Sequence, residues 1–469
     1  MSSLRVAILG GGISGLTLAY YLQKEVTGLD ISLFEKAPNV GGWIQTDIEK
    51  GLLFEKGPRG CRPRGSGLST LSLIEDLNLH KEVITASSSS KQRYIYSENK
   101  LQALPKHPLK FLFSSWNQYL PSILREWLKK SHASQDETIY SFFSRRFGEK
   151  FTYTFIDPLV LGIYGGDIKK LSMQACFPKV FQWEREYGSV LKGLIAASKR
   201  KIKLTPFQER FQHTPLFSFK QGMQTLPQSL LRSFKHTLDL QLQQEARVLE
   251  FNQSQAQVHT QNGMQTYDWV FSTLSLNTLA SLLTNYPKLR SYVPSLYYKS
   301  INIFACSFSN KVLHRNGFGY LIPSKETSPA LGMVWDSQVF PQQQEDKKAT
   351  RLSLLFKDSI SLNEIPSTAQ SILNNHLGIK PQIDETRLYQ AKKAIPQFPV
   401  GFLNTLNQLQ THIKDENYPL SVVGQAVSGV SVNDCIDYSK RLAYSWSREI
   451  LPGLLQKYNQ RRTLNSINV

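Results

Sequence analysis

LRVAILGGGISGL, from Leu4 to Leu16, decides how this chain is read. Leu4 to Leu9 is a short apolar run of strand character that leads straight into three consecutive glycines. Leu16, Leu18, Ala19, Tyr20 and Leu22 follow at helical spacing, and Asp30 to Phe34 reads as a second strand. Strand, glycine turn, helix, strand is a βαβ unit, and it opens a parallel sheet with a right-handed crossover. Inside the turn, Gly10, Gly12 and Gly15 spell GxGxxG. The first glycine permits the tight turn, the second lets backbone approach a pyrophosphate, and the third lets helix and strand pack closely. The helix N-terminus turns the positive end of its dipole to the phosphates. Glu35 follows Gly15 by twenty residues, at the end of the second strand, where a carboxylate meets ribose hydroxyls.

These features predict a bound dinucleotide without separating FAD from NAD. The separating signal is Gly41-Gly42, a second glycine pair six residues after Glu35, together with Gly424 and Gly429 near the C-terminus. Large two-domain flavoproteins commonly bring their last segment back to the cofactor; nicotinamide enzymes seldom do. A strand signal at Leu420 to Val423 and a helix from about Val432 to Leu451 accompany the late glycines, so the two ends of the chain are expected to build one domain. Between them, Leu238, Leu240 and Leu242 alternate with polar residues, as do Val258 and Thr260 beside a turn at Asn262-Gly263, which predicts a hairpin.

A chain of 469 residues with 41% hydrophobic content exceeds one core, since single cores stop growing at roughly 250–300 residues. Two or three interlocked domains are expected. Cys61, Cys176, Cys306 and Cys435 are too widely spaced for a CxxC pair or a metal-ligand cluster, so no metal is expected. The net charge of +19, from 55 basic and 36 acidic residues, favours anionic partners. No zinc finger, bZIP region or RNP-like motif accompanies it, and nucleic acid is not an expected partner. Val6 to Gln23 and Trp269 to Pro287 carry no charge, but their Gly, Ser, Thr and Asn content reads as core rather than membrane span. The N-terminus lacks a basic-then-apolar export pattern, and a cytoplasmic location is expected.

With these blocks in place, the whole chain resembles the protoporphyrinogen and coproporphyrinogen oxidase family, FAD-containing members of the amine oxidase superfamily. LGGGISGL from Leu9, VGGWIQT from Val40, FEKGPRG from Phe54, LGIYGGD from Leu161, GFGYLIPS from Gly317, LGMVWDS from Leu331, IPQFPVG from Ile395 and GVSVNDCI from Gly429 carry the resemblance. It implies an α/β fold: a Rossmann-like FAD-binding domain, a mixed-sheet substrate domain and a helical membrane-facing region. The expected division gives 1–90 and 395–469, with part of 204–275, to FAD, 91–203 to the helical region and 276–394 to substrate. It implies oxidation of protoporphyrinogen IX to protoporphyrin IX with oxygen as acceptor, in haem synthesis; coproporphyrinogen III remains the alternative substrate. Rivals of other kinds are an amine oxidase or desaturase on the same fold, and a non-catalytic binding protein such as a prenyl-protein escort.

Carried over residue by residue, the resemblance implies FAD contacts at Gly10, Gly12, Ser14, Gly15, Glu35, Gly42, Trp43, the backbone near Val248, and Gly429, Val430 and Val432. Asn39 stands where an arginine is common, Ser439 where a glycine is common, and Lys357-Asp358 replaces a glycine pair. For substrate it implies Arg93 against a propionate, because a guanidinium offers a planar fork to a carboxylate. Phe318, Leu321, Leu331 and Leu355 become candidate walls, with the Gly319 backbone facing a pyrrole; as ordinary core they need no ligand. Arg59, in GPRG, is expected near the flavin, touching either cofactor or substrate. No protein catalytic residue is expected, since the flavin carries the chemistry.

From Leu101 to Lys130 the chain mixes Phe111, Leu112, Phe113, Trp116, Leu124 and Trp127 with Lys106, Lys110, Arg125 and Lys129. Such a segment lies in a bilayer interface or forms an inter-domain helical pair. Pro105, Pro108 and Pro121 exclude one continuous helix. The resemblance places its membrane-facing region here, so a peripheral membrane surface, on the cytoplasmic face, joins porphyrinogen and oxygen as expected partners. A homodimer is an open alternative to a monomer.

Overall fold

Leu4–Leu9 lies in the middle of a five-stranded sheet in the computed structural model, which describes residues 4–105, 110–111, 113–131, 135–199, 202–235, 237–252, 254–380 and 382–467. The order is Leu420–Val422, Trp269–Ser272, Leu4–Leu9, Leu29–Glu35, Leu238–Leu242, and every neighbouring pair is parallel. The first strand is apolar throughout because its two faces feed two cores. Val6 and Ile8 pack with Leu16, Leu18 and Leu22 of the helix Ile13–Glu25, while Ala7 and Leu9 pack with Val258, Val270 and Leu279. The helix Val432–Glu449 lies along Ile13–Glu25, so both ends of the chain meet over this sheet. A further helix, Leu451–Ile467, follows it.

Leu238–Leu242 is a strand, as its alternation predicts. It forms the outer parallel strand beside Leu29–Glu35, and its alternation reflects an edge position. The hairpin itself joins Gln255–Thr260 to Gly263–Tyr267, with Thr260 opposite Gly263, so Gln261 and Asn262 make the turn.

A second sheet has seven strands in the order Glu385–Gln397, Tyr297–Phe308, Thr350–Lys357, Ala330–Val334, Gly319–Leu321, Tyr94–Ser97, Lys100–Ala103. Neighbours are antiparallel except for Gly319–Leu321 with Tyr94–Ser97, which makes the sheet mixed. The hairpin at 94–103 thus closes this sheet, although its sequence opens the stretch read as helical. Parallel pairing to Gly319–Leu321 brings Arg93 beside Phe318, whose N–H donates to the Gln92 carbonyl at 2.8 Å.

The helical region is pinned by buried charge. Glu126, fully buried, accepts from Arg146 Nε at 2.9 Å, Ser189 Oγ at 2.7 Å and the Val190 N–H at 2.9 Å, and Arg146 also reaches Glu184 at 3.2 Å. These contacts tie the helix Leu120–Glu126 to Ile139–Phe147, Pro178–Tyr187 and Val190–Lys199. Pro121 sits in the first turn of its helix, where a missing N–H costs nothing. Trp116 is core, with its Nε1 donating to the Ala103 carbonyl at 2.8 Å. Phe113, Leu124, Trp127 and Leu128 are exposed, at 89%, 62%, 43% and 82%. Lys106, Pro108 and Leu112 lie outside the described residues. Among the described residues no helix is long and apolar enough to cross a membrane.

Candidate active site

Two glycine loops meet at the C-terminal end of the parallel sheet. Gly12 caps the helix Ile13–Glu25 and Gly41 runs against it, the Gly41 N–H donating to the Gly11 carbonyl at 2.8 Å. Gly42 has φ +58°, and a Cβ built on it would stand 3.2 Å from the Gly12 Cα. A Cβ on Gly15 would collide with the Gly10 carbonyl, which is why helix and strand need glycine there. Among the described residues no side chain caps the helix, which leaves its first-turn N–H groups without a capping acceptor. A Cβ on Gly12, by contrast, would meet nothing closer than the Gly42 Cα at 4.0 Å. Uncapped donors at the positive end of a helix, above a cradle kept free of side chains, fit a pyrophosphate.

Glu35 is held ready at the edge of the cradle. Its Oε2 accepts the Gly11 N–H and its Oε1 the Ala37 N–H, both at 2.8 Å. Each oxygen retains acceptor capacity for a ribose hydroxyl. The chain then passes Val248 in a strand paired with His259, reached through Gln244, whose N–H donates to the Glu35 carbonyl at 3.0 Å. Ser14 is buried in the first helical turn, and its carbonyl accepts from the fully buried Ser439 Oγ at 3.0 Å. The hydroxyl standing in place of the common glycine therefore ties the C-terminal helix to the cradle. Ser431 caps that helix, with the Asp434 N–H donating to its Oγ at 3.1 Å. Gly429 precedes the cap at φ +108°, with Val430 and Val432 half-buried beside it. Trp43 stands 41% exposed, and its carbonyl leaves no room for a Cβ on Gly57. Asn39 is exposed.

The candidate substrate residues fall into two groups. The Arg93 guanidinium lies over the Phe318 ring, 4.6 Å from its centre, and no carboxylate pairs with it among the described residues. Burial lowers its proton affinity, and neighbouring Arg62 lowers it further. Leu331 and Leu355, on paired strands, pack instead with Leu161, Ile301 and Ile303. Leu321 reaches toward this second group, since a Cβ on Gly162 would lie 2.8 Å from its Cδ2. Leu331 is 3% exposed and stands behind the half-buried Leu321 and Leu355. Gly319, at φ +131°, holds its strand so close to Met333 that a Cβ would strike the Met333 carbonyl. Arg59 is occupied: its Nε meets Asp336 Oδ1 at 3.1 Å, with both side chains 14% exposed. Lys357 is also engaged, Nζ donating to the Ser328 carbonyl at 2.8 Å, and Asp358 faces Lys299 at 3.5 Å.

Four residues near the site escaped the sequence reading. Thr273 closes the cradle, its Oγ1 donating to the Leu9 carbonyl at 2.9 Å. Glu55, Asp336 and Arg351 gather around Arg59. A charge within the apolar run TRLSLLF was the available signal for Arg351. All four cysteines are free and buried, and no cluster that could hold a metal exists among the described residues.

The family model described as flavin containing amine oxidoreductase matches residues 13–372. The chain is 31% identical to "Protoporphyrinogen oxidase" of Schizosaccharomyces pombe, over 92% of this chain and 96% of that one. It is 26% identical to "Coproporphyrinogen III oxidase" of Staphylococcus aureus, over 93% and 97%. The crystal structure of a protoporphyrinogen oxidase candidate from Exiguobacterium sp. 255-15 superposes with a TM-score of 0.79 at 20% identity, covering 95% of this chain and 99% of that one. The family match gives FAD as the cofactor, and the uncapped glycine cradle and the positioned Glu35 fit it. The chain belongs to the flavin-containing amine oxidoreductase family.

Proposed function

We propose that this chain oxidises protoporphyrinogen IX to protoporphyrin IX, with oxygen as the electron acceptor, in haem synthesis. The observation that carries the substrate reading is Arg93, a half-buried cation stacked on Phe318 and without a carboxylate partner among the described residues. Such a group is costly to bury unless an anion arrives to meet it, and a propionate on an apolar macrocycle is that anion. The higher identity to the fission-yeast relative than to the staphylococcal one favours protoporphyrinogen over coproporphyrinogen III.

FAD, when bound, supplies a hydride acceptor and passes electrons on to oxygen. The chain's own residues bind and orient. The first turn of Ile13–Glu25 would hold the pyrophosphate and Glu35 the ribose, and Gly429 to Val432 would lie beside the ring system. Arg93 anchors the carboxylated edge of the macrocycle, while Phe318, Leu321 and Leu355 exclude water from its apolar body. Arg59, already paired with Asp336, positions the loop after Gly57 and leaves the substrate carboxylate to Arg93.

Peripheral attachment belongs to the same proposal. Phe113, Leu124, Trp127 and Leu128 are exposed, as are Leu194 and Ile195 of the helix Val190–Lys199, and Lys192 Nζ of that helix stands 5.7 Å from the Trp127 ring. Exposed apolar side chains among lysines suit the interface of an anionic bilayer, on the cytoplasmic face.

Turnover of both porphyrinogens by purified holoprotein, followed by porphyrin fluorescence with peroxide counted in parallel, tests the reading. We expect kcat/KM for protoporphyrinogen IX to exceed that for coproporphyrinogen III by roughly tenfold or more. A reversed ratio moves the substrate to coproporphyrinogen III; no oxidation of either removes the proposal.

A further inference from the structure

The outer edge of the seven-stranded sheet is fastened to the loop that frames the cofactor cradle. Leu321 stands opposite Gly332, Gly332 opposite Leu355, Leu355 opposite Ile303, and Ile303 opposite Tyr389, so one row of cross-strand partners crosses five strands. Neighbouring strands lie about 4.8 Å apart, which makes the row roughly 20 Å long. Directly opposite residues share a face, and Leu355, Ile303 and Tyr389 pack in one cluster with Leu161, Ile301 and Leu331. Leu321 and Leu355, in this row, are candidate substrate walls. Tyr389 ends the row, in the edge strand Glu385–Gln397.

The Tyr389 hydroxyl reaches out of the sheet. It donates to Asp47 Oδ2 at 2.6 Å, the length of a hydrogen bond to a carboxylate. Asp47 belongs to the hairpin of Thr46–Glu49 and Leu52–Glu55, which follows the Gly41-Gly42 loop closely in the chain. Gln45 Nε2 donates to the Gly42 carbonyl at 3.0 Å, and the Gln45 carbonyl accepts the Lys56 N–H at 2.9 Å. Lys56 Nζ stands 5.4 Å from the centre of the Tyr389 ring, a second hold on the same side chain. Gly42 itself faces Gly12 across the cradle. Contacts therefore run from the cradle through the 42–47 segment to Tyr389, and from Tyr389 along the row to Leu355.

Exposure separates this bond from its neighbours. Lys50 meets Glu385 and Glu49 meets Arg387, each at 2.6 Å, but the Lys50 and Glu49 side chains are 64% and 56% exposed. Exposed pairs of long side chains hold little against water and salt. Tyr389 and Asp47 are half-buried, where a charged hydrogen bond counts for more. Burial and the Asp47 carboxylate both keep the phenol protonated, so it remains a donor at any physiological pH. We infer that Tyr389 is a positioning residue, whose hydroxyl, anchored on Asp47, fixes the gap between the wall at Leu355 and the cofactor loop at Gly42. The inference rests on the porphyrinogen reading proposed above, because it takes Leu321 and Leu355 as walls of the macrocycle site. A misplacement of about 1 Å costs a reaction on the order of a hundredfold in rate. Loosening the wall therefore slows the chemical step and leaves cofactor affinity, set at Gly12 and Glu35, as it was.

The test uses the full-length protein loaded with FAD, and protoporphyrinogen IX as substrate. Tyr389→Phe removes the hydroxyl and keeps the ring, while Asp47→Ala removes the acceptor. Each is expected to lower kcat, and the anaerobic rate of flavin bleaching, roughly tenfold. KM and the Kd for FAD should stay within about twofold of wild type, and Tm within about 2 °C. The double variant should fall no further than either single one, since both remove the same contact. Asp47→Asn, which keeps an oxygen at the same place, should recover most of the loss. Lys50→Ala, which cuts only an exposed pair, should match wild type. Wild-type kcat in Tyr389→Phe would overturn the inference, and so would a double variant whose loss is the product of the two single losses. A fall in kcat that tracks released FAD or a lowered Tm would overturn it too, leaving Tyr389 a structural role alone. Wild-type protein that oxidises neither porphyrinogen would remove the porphyrinogen reading together with this inference, whereas the other outcomes leave that reading standing.

Discussion

Gly12 and Gly42 face each other across the mouth of the cofactor cradle, and a Cβ on Gly42 would stand 3.2 Å from the Gly12 Cα. The space over Gly12 is otherwise open, and its φ of −73° suits any residue. What forbids a side chain there is the ligand and not the fold. Gly12→Val should therefore fold with a Tm close to that of the wild-type apoprotein while losing FAD affinity by at least about tenfold. Absorbance at the flavin band relative to protein, after reconstitution, reads the loss directly. Gly15→Val, whose Cβ would strike the Gly10 carbonyl, should fail to fold, and finding it soluble and native would mean the strand–helix packing is read wrongly.

Arg93 separates from Arg59 in the same way. A charged hydrogen bond at a half-buried site is worth about 1.5–3 kcal/mol, so Arg93→Ala should lower kcat/KM roughly ten- to a hundredfold. The change should appear mainly in KM, because the propionate is remote from the reacting carbon and is held alike in ground and transition states. Arg93→Lys should recover only part, keeping the charge without the fork. Arg59→Ala should instead strand Asp336 and lower Tm. Wild-type kinetics in Arg93→Ala with FAD retained would return Arg93 to a structural role.

Glu55 gives stability a pH dependence. Its carboxyl is raised from the ordinary 4.5 to about 7, so the native state favours the protonated form. The stability this contributes is present below pH 4.5 and is lost as pH rises through about 7. Glu55→Gln should gain on the order of 3 kcal/mol relative to wild type between those limits. Urea unfolding of both proteins across that range measures it, and parallel curves would show that Glu55 titrates normally.

The proposed membrane attachment keeps Phe113 and Leu124 from the segment read in the sequence, adds Leu128 and drops Trp116. Phe113, Leu124 and Leu128 are exposed, while Trp116 is buried against Phe155 and bonded to Ala103. Replacing the first three with Ser should release the protein from anionic liposomes with FAD and Tm unchanged. Trp116→Ser should lower Tm by several degrees, since it empties a core position. Co-sedimentation unaffected by the triple change would place attachment elsewhere.

The cradle was legible because its chemistry is local: Gly10 to Gly15 and Glu35 act through spacing along one βαβ unit. Leu238–Leu242 was legible as a strand from its alternation, but its place at the edge of the parallel sheet was not, because only its partner, Leu29–Glu35, fixes it. Trp116 misled because interfacial and core aromatics share one composition. The cluster of Glu55, Arg59, Asp336 and Arg351 was out of reach, since nearly 300 residues of chain separate its members and only the paired sheets bring them together.

Anaerobic mixing of the FAD-loaded protein with protoporphyrinogen IX tests the central claim most directly, because it needs neither oxygen nor turnover. The account predicts bleaching of the oxidised-flavin band at a rate at least equal to kcat, a slower bleaching with coproporphyrinogen III, and recovery of the band when air is admitted. An oxidised-flavin band left unchanged by both porphyrinogens, in protein that holds FAD at full occupancy, would contradict it.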